Sequence, residues 1–234
     1  MKNIAIILAR GGSKRIPKKN IKKFFNKPAI SYPILAALSS GCFDDVIVST
    51  DDIEIKKISI KYGAKVPFIR SKKNSTDHAT TIDVLNEVLS YYETNKIQLK
   101  SFCCLYGTSL FVTADKLKKA YEMLILKKSD SIIPVAKFNY PIQRSLVIEN
   151  EKLYMKWPEN LLKRSQDLEP YYQDTGQYYF VNYNSFKTNN QILTENTFPI
   201  IESQSHIQDI DNMEDWNLAK IKYKLLIYDK KEKI

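Results

Sequence analysis

Apolar and polar positions along this chain keep two rhythms. Short apolar runs bounded by turn residues read as strands. Longer stretches with apolar positions every three to four residues read as amphipathic helices. "NIAIILA" is a first strand, and "PAISYPILAALSSG" a helix opened by Pro28 and closed by Gly41. "DDVIVST" is a second strand, followed by the helical "DDIEIKKISIKYG", which Gly63 ends. "TTIDVLNEVLSYYETN" is a strongly amphipathic helix, "SFCCLYGTS" a third strand, "ADKLKKAYEMLILKK" a helix and "SDSIIPVAKF" a fourth strand. This alternation predicts an α/β fold, a doubly wound and mostly parallel sheet with helices on both faces.

From about Tyr140 the rhythm breaks. "YPIQRSLVIENEKLYMKWPENLLKRSQDLEPYYQ" has three prolines, several aromatics and weak alternation. It predicts a hairpin or arm leaving the sheet over about residues 138–172. "GQYYFVNY" then reads as a strand and "NMEDWNLAKIKYKLLI" as a closing helix. No internal repeat or linker interrupts the chain, so its 234 residues read as one domain with an inserted arm.

Charge changes the picture more than composition does. The formal net charge is +10. Residues 1–43 hold nine Lys or Arg and no acid; the first acid is Asp44, so all but one of the excess charges come from that segment. Charge concentrated in this way points to an anion site. A nucleic-acid module is the rival reading, but no aromatic-interleaved basic stripe accompanies the loop. No apolar run approaches the roughly 20 residues of a membrane span, and the N-terminal apolar run is too short for a signal peptide, so a cytoplasmic protein is expected. The three cysteines, Cys42, Cys103 and Cys104, suggest buried thiols and no disulfide framework.

Five groups of residues carry candidate chemistry. "LARGGSKRIPKKN" follows the first strand, where open α/β sheets bind ligands. Gly11 and Gly12 permit close backbone approach, and the flexible cations suit a polyphosphate. The spacing is neither a P-loop nor G-x-G-x-x-G. "IQDIDNMEDW" puts Asp209 and Asp211 two apart, on one side of an extended segment. The pair reads either as a Mg²⁺ site or, through Asp211 and Glu214, as a capping box. Asp51 and Asp52 form a weaker acidic pair, with Asp51 a candidate cap of the next helix. Arg70, Thr80 and Thr81 precede a helix and suit base or ribose contacts, or capping. Arg164 and Gln166 suit a carboxylate, though the aromatics around them suit packing. His78 and His206, the only histidines, read as structural or exposed.

"LARGGSKRIPKKNIKKFFNKPAISYPI" closely resembles the opening of cytidylyltransferases that activate sialic-acid-like sugars. "VIVSTDD", "DHATTIDVL" and "IQDIDNMEDWNLAK" follow in the expected order, so the resemblance covers nearly the whole chain. It implies a Rossmann-like nucleotidyltransferase fold and the transfer of CMP from CTP to a nine-carbon nonulosonic acid, with release of pyrophosphate. In N-acetylneuraminate members the third strand usually ends in a Gln-Pro turn; here Tyr106 and Gly107 stand in those places. "CCLYGTSLF", "YPIQRSL" and "RSQDLEPYYQDTGQYYF" resemble the pseudaminic-acid branch, with N-acetylneuraminic or legionaminic acid as the alternative sugar. By this resemblance Arg10, Gly11, Gly12, Lys14, Lys19 and Asn20 hold the triphosphate, and Arg70, Thr81 and Tyr106 lie near the nucleotide. Arg164 and Gln166 lie near the sugar, and Asp209 and Asp211 bind Mg²⁺. Arg10, Lys19 and Asp211 form the catalytic set, with Asp211 or a metal-bound water taking the hydroxyl proton. Tyr140, Trp157, Tyr171 and Tyr172 are candidates for an apolar sugar lining. The arm is expected to pack against a second copy, giving a homodimer.

Overall fold

A computed structural model describes residues 1–231 of the chain, with side chains through residue 226. The strands are β1 (Lys2–Leu8), β2 (Lys23–Phe24), β3 (Lys27–Pro28), β4 (Asp45–Ser49), β5 (Leu99–Tyr106), β6 (Ser131–Lys137), β7 (Leu146–Glu149), β8 (Lys152–Met155), β9 (Tyr172–Asp174), β10 (Tyr178–Asn182) and β11 (Thr197–Ile201). The helices are α1 (Ser31–Ser40), α2 (Ile53–Lys61), α3 (Thr81–Thr94), α4 (Ala114–Lys127), α5 (Tyr183–Asn189) and α6 (Met213–Lys231). The main sheet runs β11-β6-β10-β5-β1-β4, with β9 added beside β6. β10 lies antiparallel between β5 and β6, and β9 is also antiparallel. The other five strands share one direction, so the doubly wound, mostly parallel expectation holds.

β1 is apolar from Ile4 to Leu8 because both of its faces are covered there. Ala5 and Ile7 point into a core with Ile34 of α1 and Leu117 of α4. Ile4 and Ile6 point the other way, against Leu85 and Val88 of α3 and Phe186 of α5. Successive residues thus serve opposite layers, as the two-residue period of a strand requires. Cys103 and Cys104 are divided between the layers in the same way, and burial pushes both thiols well above their ordinary range.

The structure corrects two element expectations. Pro28 does not open a helix: it pairs with Lys23 in the small β2–β3 hairpin, and α1 starts at Ser31. The N–H groups of Ala29 and Ile30 donate back to Lys22 and Asn20, which ties the helix entry to the basic loop. The strand Thr197–Ile201 was not anticipated. It is an edge strand, and Pro199 in its middle is compatible with that place alone.

After Lys137 the chain leaves the sheet, and it returns at Tyr172, where Phe138 N–H donates to Tyr171 O at 3.0 Å. The excursion carries the β7–β8 hairpin and several exposed apolar side chains, among them Ile148, Leu153 and Leu162.

A third, smaller core decides where the candidate site forms. Ile16 of the basic loop, Phe24 and Ala29 of the hairpin region, Leu110 and Phe111 after β5, and Ile210, Trp216 and Ala219 are buried together. Trp216 is fully buried, with Phe24 set edge-on at 5.5 Å. Ile16 therefore fastens the basic loop, and Ile210 the acidic segment, to one apolar knot. Trp216→Ala should cost about 3–5 kcal/mol of stability through the cavity it leaves. The check is chemical denaturation, in which the midpoint should fall clearly below that of the parent protein.

Candidate active site

The basic loop starts where β1 ends, and its first constraint comes from two neighbouring acids. Gly11 N–H donates to Asp51 Oδ1 at 2.8 Å. A Cβ at Gly11 would lie 2.8 Å from Asp52 Cβ, so only glycine lets the loop pass this close to α2. Asp52, not Asp51, caps α2, accepting the N–H groups of Glu54 at 2.7 Å and Ile55 at 2.9 Å. Side chains in an extended segment alternate sides, which frees Asp51 for the loop. Gly12 meets nothing within 4 Å at its would-be Cβ, so its freedom faces open space.

Each cation from Arg10 to Lys19 then finds an internal partner. Arg10 Nη1 and Lys14 Nζ both lie 2.6 Å from Asp77, one on each carboxylate oxygen. Arg15 Nη2 is 2.8 Å from Asp211 Oδ1, and Lys18 Nζ 2.6 Å from Glu54. Lys19 Nζ donates to Ile210 O at 2.6 Å. Burial lowers the Lys19 ammonium below its ordinary range, against the pull of Asp211 and Asp209. Buried Asn20 donates to Arg10 O at 2.9 Å and closes the loop on itself. Its amide oxygen would stand 2.5 Å from a Cβ on residue 107. That contact leaves room only for glycine at residue 107.

These residues wall a cleft of about 280 Å³. Arg10, Lys14, Lys19, Asn20, Arg70, Thr81, Tyr106 and Asp211 all line it. Gly11 and Gly12 belong to the loop but not to the wall. Arg70 is only 5% exposed and is held by Ser49 at the end of β4, through Nε to Oγ at 2.9 Å and Nη2 to the carbonyl oxygen. Its Nη1 has no hydrogen-bonding partner among the described residues. Tyr106 OH and Thr81 Oγ1 are 3.0 Å apart. Burial pushes the Tyr106 phenol up to about 12, so it stays protonated and able to donate. Behind it, Tyr179 packs edge-on, its hydroxyl donating to Asp174 at 2.6 Å.

The acidic segment departs from the capping-box reading. Asn212 caps α6, accepting from Glu214 N–H at 2.8 Å and Asp215 N–H at 3.0 Å, and Asp215 accepts from Asn212 N–H in return. Asp211 is thus free of the cap, because the neighbouring amide does that work. Asp209 is raised above the usual carboxylate range by desolvation in the surrounding protein and then by Asp211, although its side chain still reaches solvent. Asp211 lines the cleft; Asp209 stands beside it, near Gly176.

The single chain does not bring Arg164 or Gln166 to this cleft. Both are exposed on the arm, where Arg164 pairs with Asp167 at 2.8 Å. Tyr140, Trp157, Tyr171 and Tyr172 are exposed there too. Two further acids are prominent here, Asp51, which the sequence offered as a helix cap, and Asp77, which it did not single out. Asp51 positions Gly11, and Asp77 bridges two cleft cations. The only linear signal for Asp77 was an acid standing alone after Arg70, Lys72 and Lys73. Among the described residues no helix is long and apolar enough to cross a membrane.

The chain has relatives among known proteins. The pseudaminic acid cytidylyltransferase of Campylobacter jejuni is 41% identical over 96% of this chain and 97% of its own length. The CMP-N,N'-diacetyllegionaminic acid synthase of Legionella pneumophila is 31% identical over 94% of this chain and 95% of its own. Among solved structures, a CMP:2-keto-3-deoxy-manno-octonic acid synthetase complexed with CTP superposes with a TM-score of 0.69. It covers 97% of this chain and all of that one at 16% identity, a likeness of fold. The cytidylyltransferase family model matches residues 4–233. With its glycine-hinged basic loop at the end of β1 and these full-length relatives, the chain belongs to the cytidylyltransferase family.

Proposed function

We propose that this enzyme transfers CMP from CTP to pseudaminic acid, a nine-carbon nonulosonic acid, and releases pyrophosphate. The observation that carries the reading is the single cleft holding Arg10, Lys14, Lys19, Arg70 and Asp211, in a chain 41% identical over nearly its full length to a protein of that activity. The anomeric hydroxyl of the sugar attacks the α-phosphate in line. A P–O bond to the sugar forms, the bond to the β-phosphate bridging oxygen breaks, and the hydroxyl proton leaves. Arg10 and Lys14 hold the triphosphate by charge-assisted hydrogen bonds, and Lys19 meets the charge that grows on the α-phosphate. Arg70, fixed on Ser49, offers its unpartnered nitrogen to the nucleotide, and the Thr81–Tyr106 hydroxyl pair faces base or ribose.

The donor set beside Lys19 fits Mg²⁺. Asp209 Oδ1 accepts Ile210 N–H and Asp211 Oδ1 is taken by Arg15, but neither Oδ2 accepts a hydrogen bond among the described residues. One carboxylate on the cleft wall and a second beside it would suit a cation that keeps most of its waters. Held by Asp209 and Asp211, Mg²⁺ would supply charge neutralisation at the reacting phosphates. Asp211, the acid of the pair that lines the cleft, is the protein's own candidate to take the hydroxyl proton.

The arm supports a homodimer. Ile148 is 75% exposed and Leu162 94%, an apolar surface that a second copy would cover. Arg164 and Gln166 then reach sugar only if docking of the arm carries them to a partner's cleft. The enzyme acts in the cytoplasm, where CTP is made.

Three outcomes test the proposal. Arg10→Ala should lower kcat/KM for CTP by about a hundredfold or more, the usual scale for losing one charge-stabilising donor at reacting phosphates; near-normal turnover would remove Arg10 from the site. Asp211→Asn and Asp209→Asn should each raise the Mg²⁺ concentration needed for half-maximal rate, Asp211 at least as severely. An unchanged magnesium titration would make the pair structural.

The sugar is decided by comparing kcat/KM for pseudaminic and N-acetylneuraminic acids at saturating CTP. Each extra hydroxyl of N-acetylneuraminate left unpartnered in a site shaped for the more apolar sugar costs about 1–3 kcal/mol. Two such mismatches give a preference on the order of a thousandfold for pseudaminic acid. Equal values, or a preference for N-acetylneuraminic or legionaminic acid, would reassign the substrate.

A further inference from the structure

Asp77 has a place in the cleft that the transfer reaction leaves unexplained. Its two carboxylate oxygens are divided between Arg10 and Lys14, each at 2.6 Å. Those are the two cations that the triphosphate needs. The carboxylate thus stands where an anionic ligand would stand, on the same donors and at the same kind of distance. The two cations in turn hold its carboxyl below the usual carboxylate range, so it stays ionised.

The stretch that carries Asp77 is fixed at both ends and loose between them. At its start, Ser71 donates its N–H to Glu87 at 2.8 Å and its hydroxyl at 3.0 Å, and Asn74 also donates to Glu87. At its end, Thr80 caps α3 in a reciprocal capping box with Asp83. Among the described residues no backbone hydrogen bond engages Asp77, His78 or Ala79. The Asp77 side chain is 44% exposed, Arg10 37% and Lys14 80%. Ion pairs this open to water are individually weak and exchange readily. A tether of this kind can be displaced by a multiply charged ligand and can close again when the ligand leaves.

We infer that Asp77 is a built-in competitor for Arg10 and Lys14, a positioning residue that weakens the cleft's hold on the triphosphate and on departing pyrophosphate and so promotes product release. The inference rests on the reading that this cleft takes the triphosphate. When a fraction of molecules has its binding groups occupied internally, apparent affinity falls by that fraction. Occupancy of Arg10 and Lys14 by Asp77 in roughly four-fifths to nineteen-twentieths of molecules weakens binding about five- to twentyfold. Turnover gains because pyrophosphate, bound by the same cations, leaves faster.

Calorimetric titration of the full chain with pyrophosphate in magnesium buffer, without sugar, tests this directly. Asp77→Asn should bind pyrophosphate about five- to twentyfold more tightly than the parent. In steady state its KM for CTP should fall, and its product inhibition by pyrophosphate should rise. Asp77→Glu, which keeps the charge, should restore parent-like affinity. Glu54→Gln removes one negative charge from Lys18, off the cleft wall, and should leave pyrophosphate affinity near that of the parent. Unchanged or weaker binding by Asp77→Asn would overturn the inference, as would equal tightening by Glu54→Gln, which would reduce the effect to net charge. If the parent fails to bind pyrophosphate, or Arg10→Ala binds it equally well, the triphosphate reading itself falls, a result distinct from a silent Asp77→Asn.

Discussion

The architecture of this enzyme depends on a small apolar knot that holds two charged segments together. A loop carrying Arg10, Lys14, Arg15, Lys18 and Lys19 within ten residues repels itself and has little reason to fold alone. Ile16, in the middle of that run, is only 1% exposed and shares a core with Ile210, also 1% exposed, and with fully buried Trp216. Ile210 lies between Asp209 and Asp211, so burying it sets the two acids against the cations. Hydrophobic burial, which is insensitive to sign, does the gathering; the charges then choose partners at short range. Lys19 donating to the Ile210 carbonyl is the tightest expression of this, a cation held by the backbone of the residue whose side chain anchors the acidic segment.

Electrostatics within the gathered site is close to balanced. Asp77 answers Arg10 and Lys14, Asp211 answers Arg15, and Glu54 answers Lys18. A cluster of unpaired cations would destabilise the folded state, whereas exposed pairs relieve the repulsion and remain exchangeable. The helix starts contribute as well. Asp52 caps α2 while its neighbour Asp51 draws in the Gly11 N–H, so one acidic dipeptide ends a strand, starts a helix and fixes the glycine turn.

The strand–helix alternation was legible because buried parallel strands and amphipathic helices write their periods plainly into the chain. The glycine pair and its cations were legible as an anion loop because they follow the first strand directly. Asp51 and Asp52 were less so: two adjacent carboxylates have the same chemistry, and only the backbone decides which faces the helix N–H groups. Asp211 was open to a capping reading with Glu214, but its neighbour Asn212 takes the cap. Thr197–Ile201 escaped because a proline in a five-residue apolar run argues against a strand unless its edge position is already known. Asp77 was illegible for a different reason. Its partners lie more than sixty positions away, and nothing local announces a long-range ion pair.

The arm is where one chain stops explaining itself. Its hairpin keeps regular pairing from Leu146 to Met155, yet Ile148, Leu153, Tyr154 and Trp157 stay exposed, and Arg164 finds only its neighbour Asp167. Among the described residues these side chains stay open to solvent, whereas every cation of the basic loop from Arg10 to Lys19 has a partner. The contrast divides the molecule physically. The cleft is complete in a single chain, since its walls come from β1 and the loop after it, the segment leading into α3, the end of β5 and the acidic segment at Asp211, and are fixed by three internal cores. The arm, by contrast, leaves an apolar surface open to solvent. A cytidylyltransferase built this way keeps its basic cleft and its exposed arm physically separate, so a surface change in the arm leaves the walls of the cleft undisturbed.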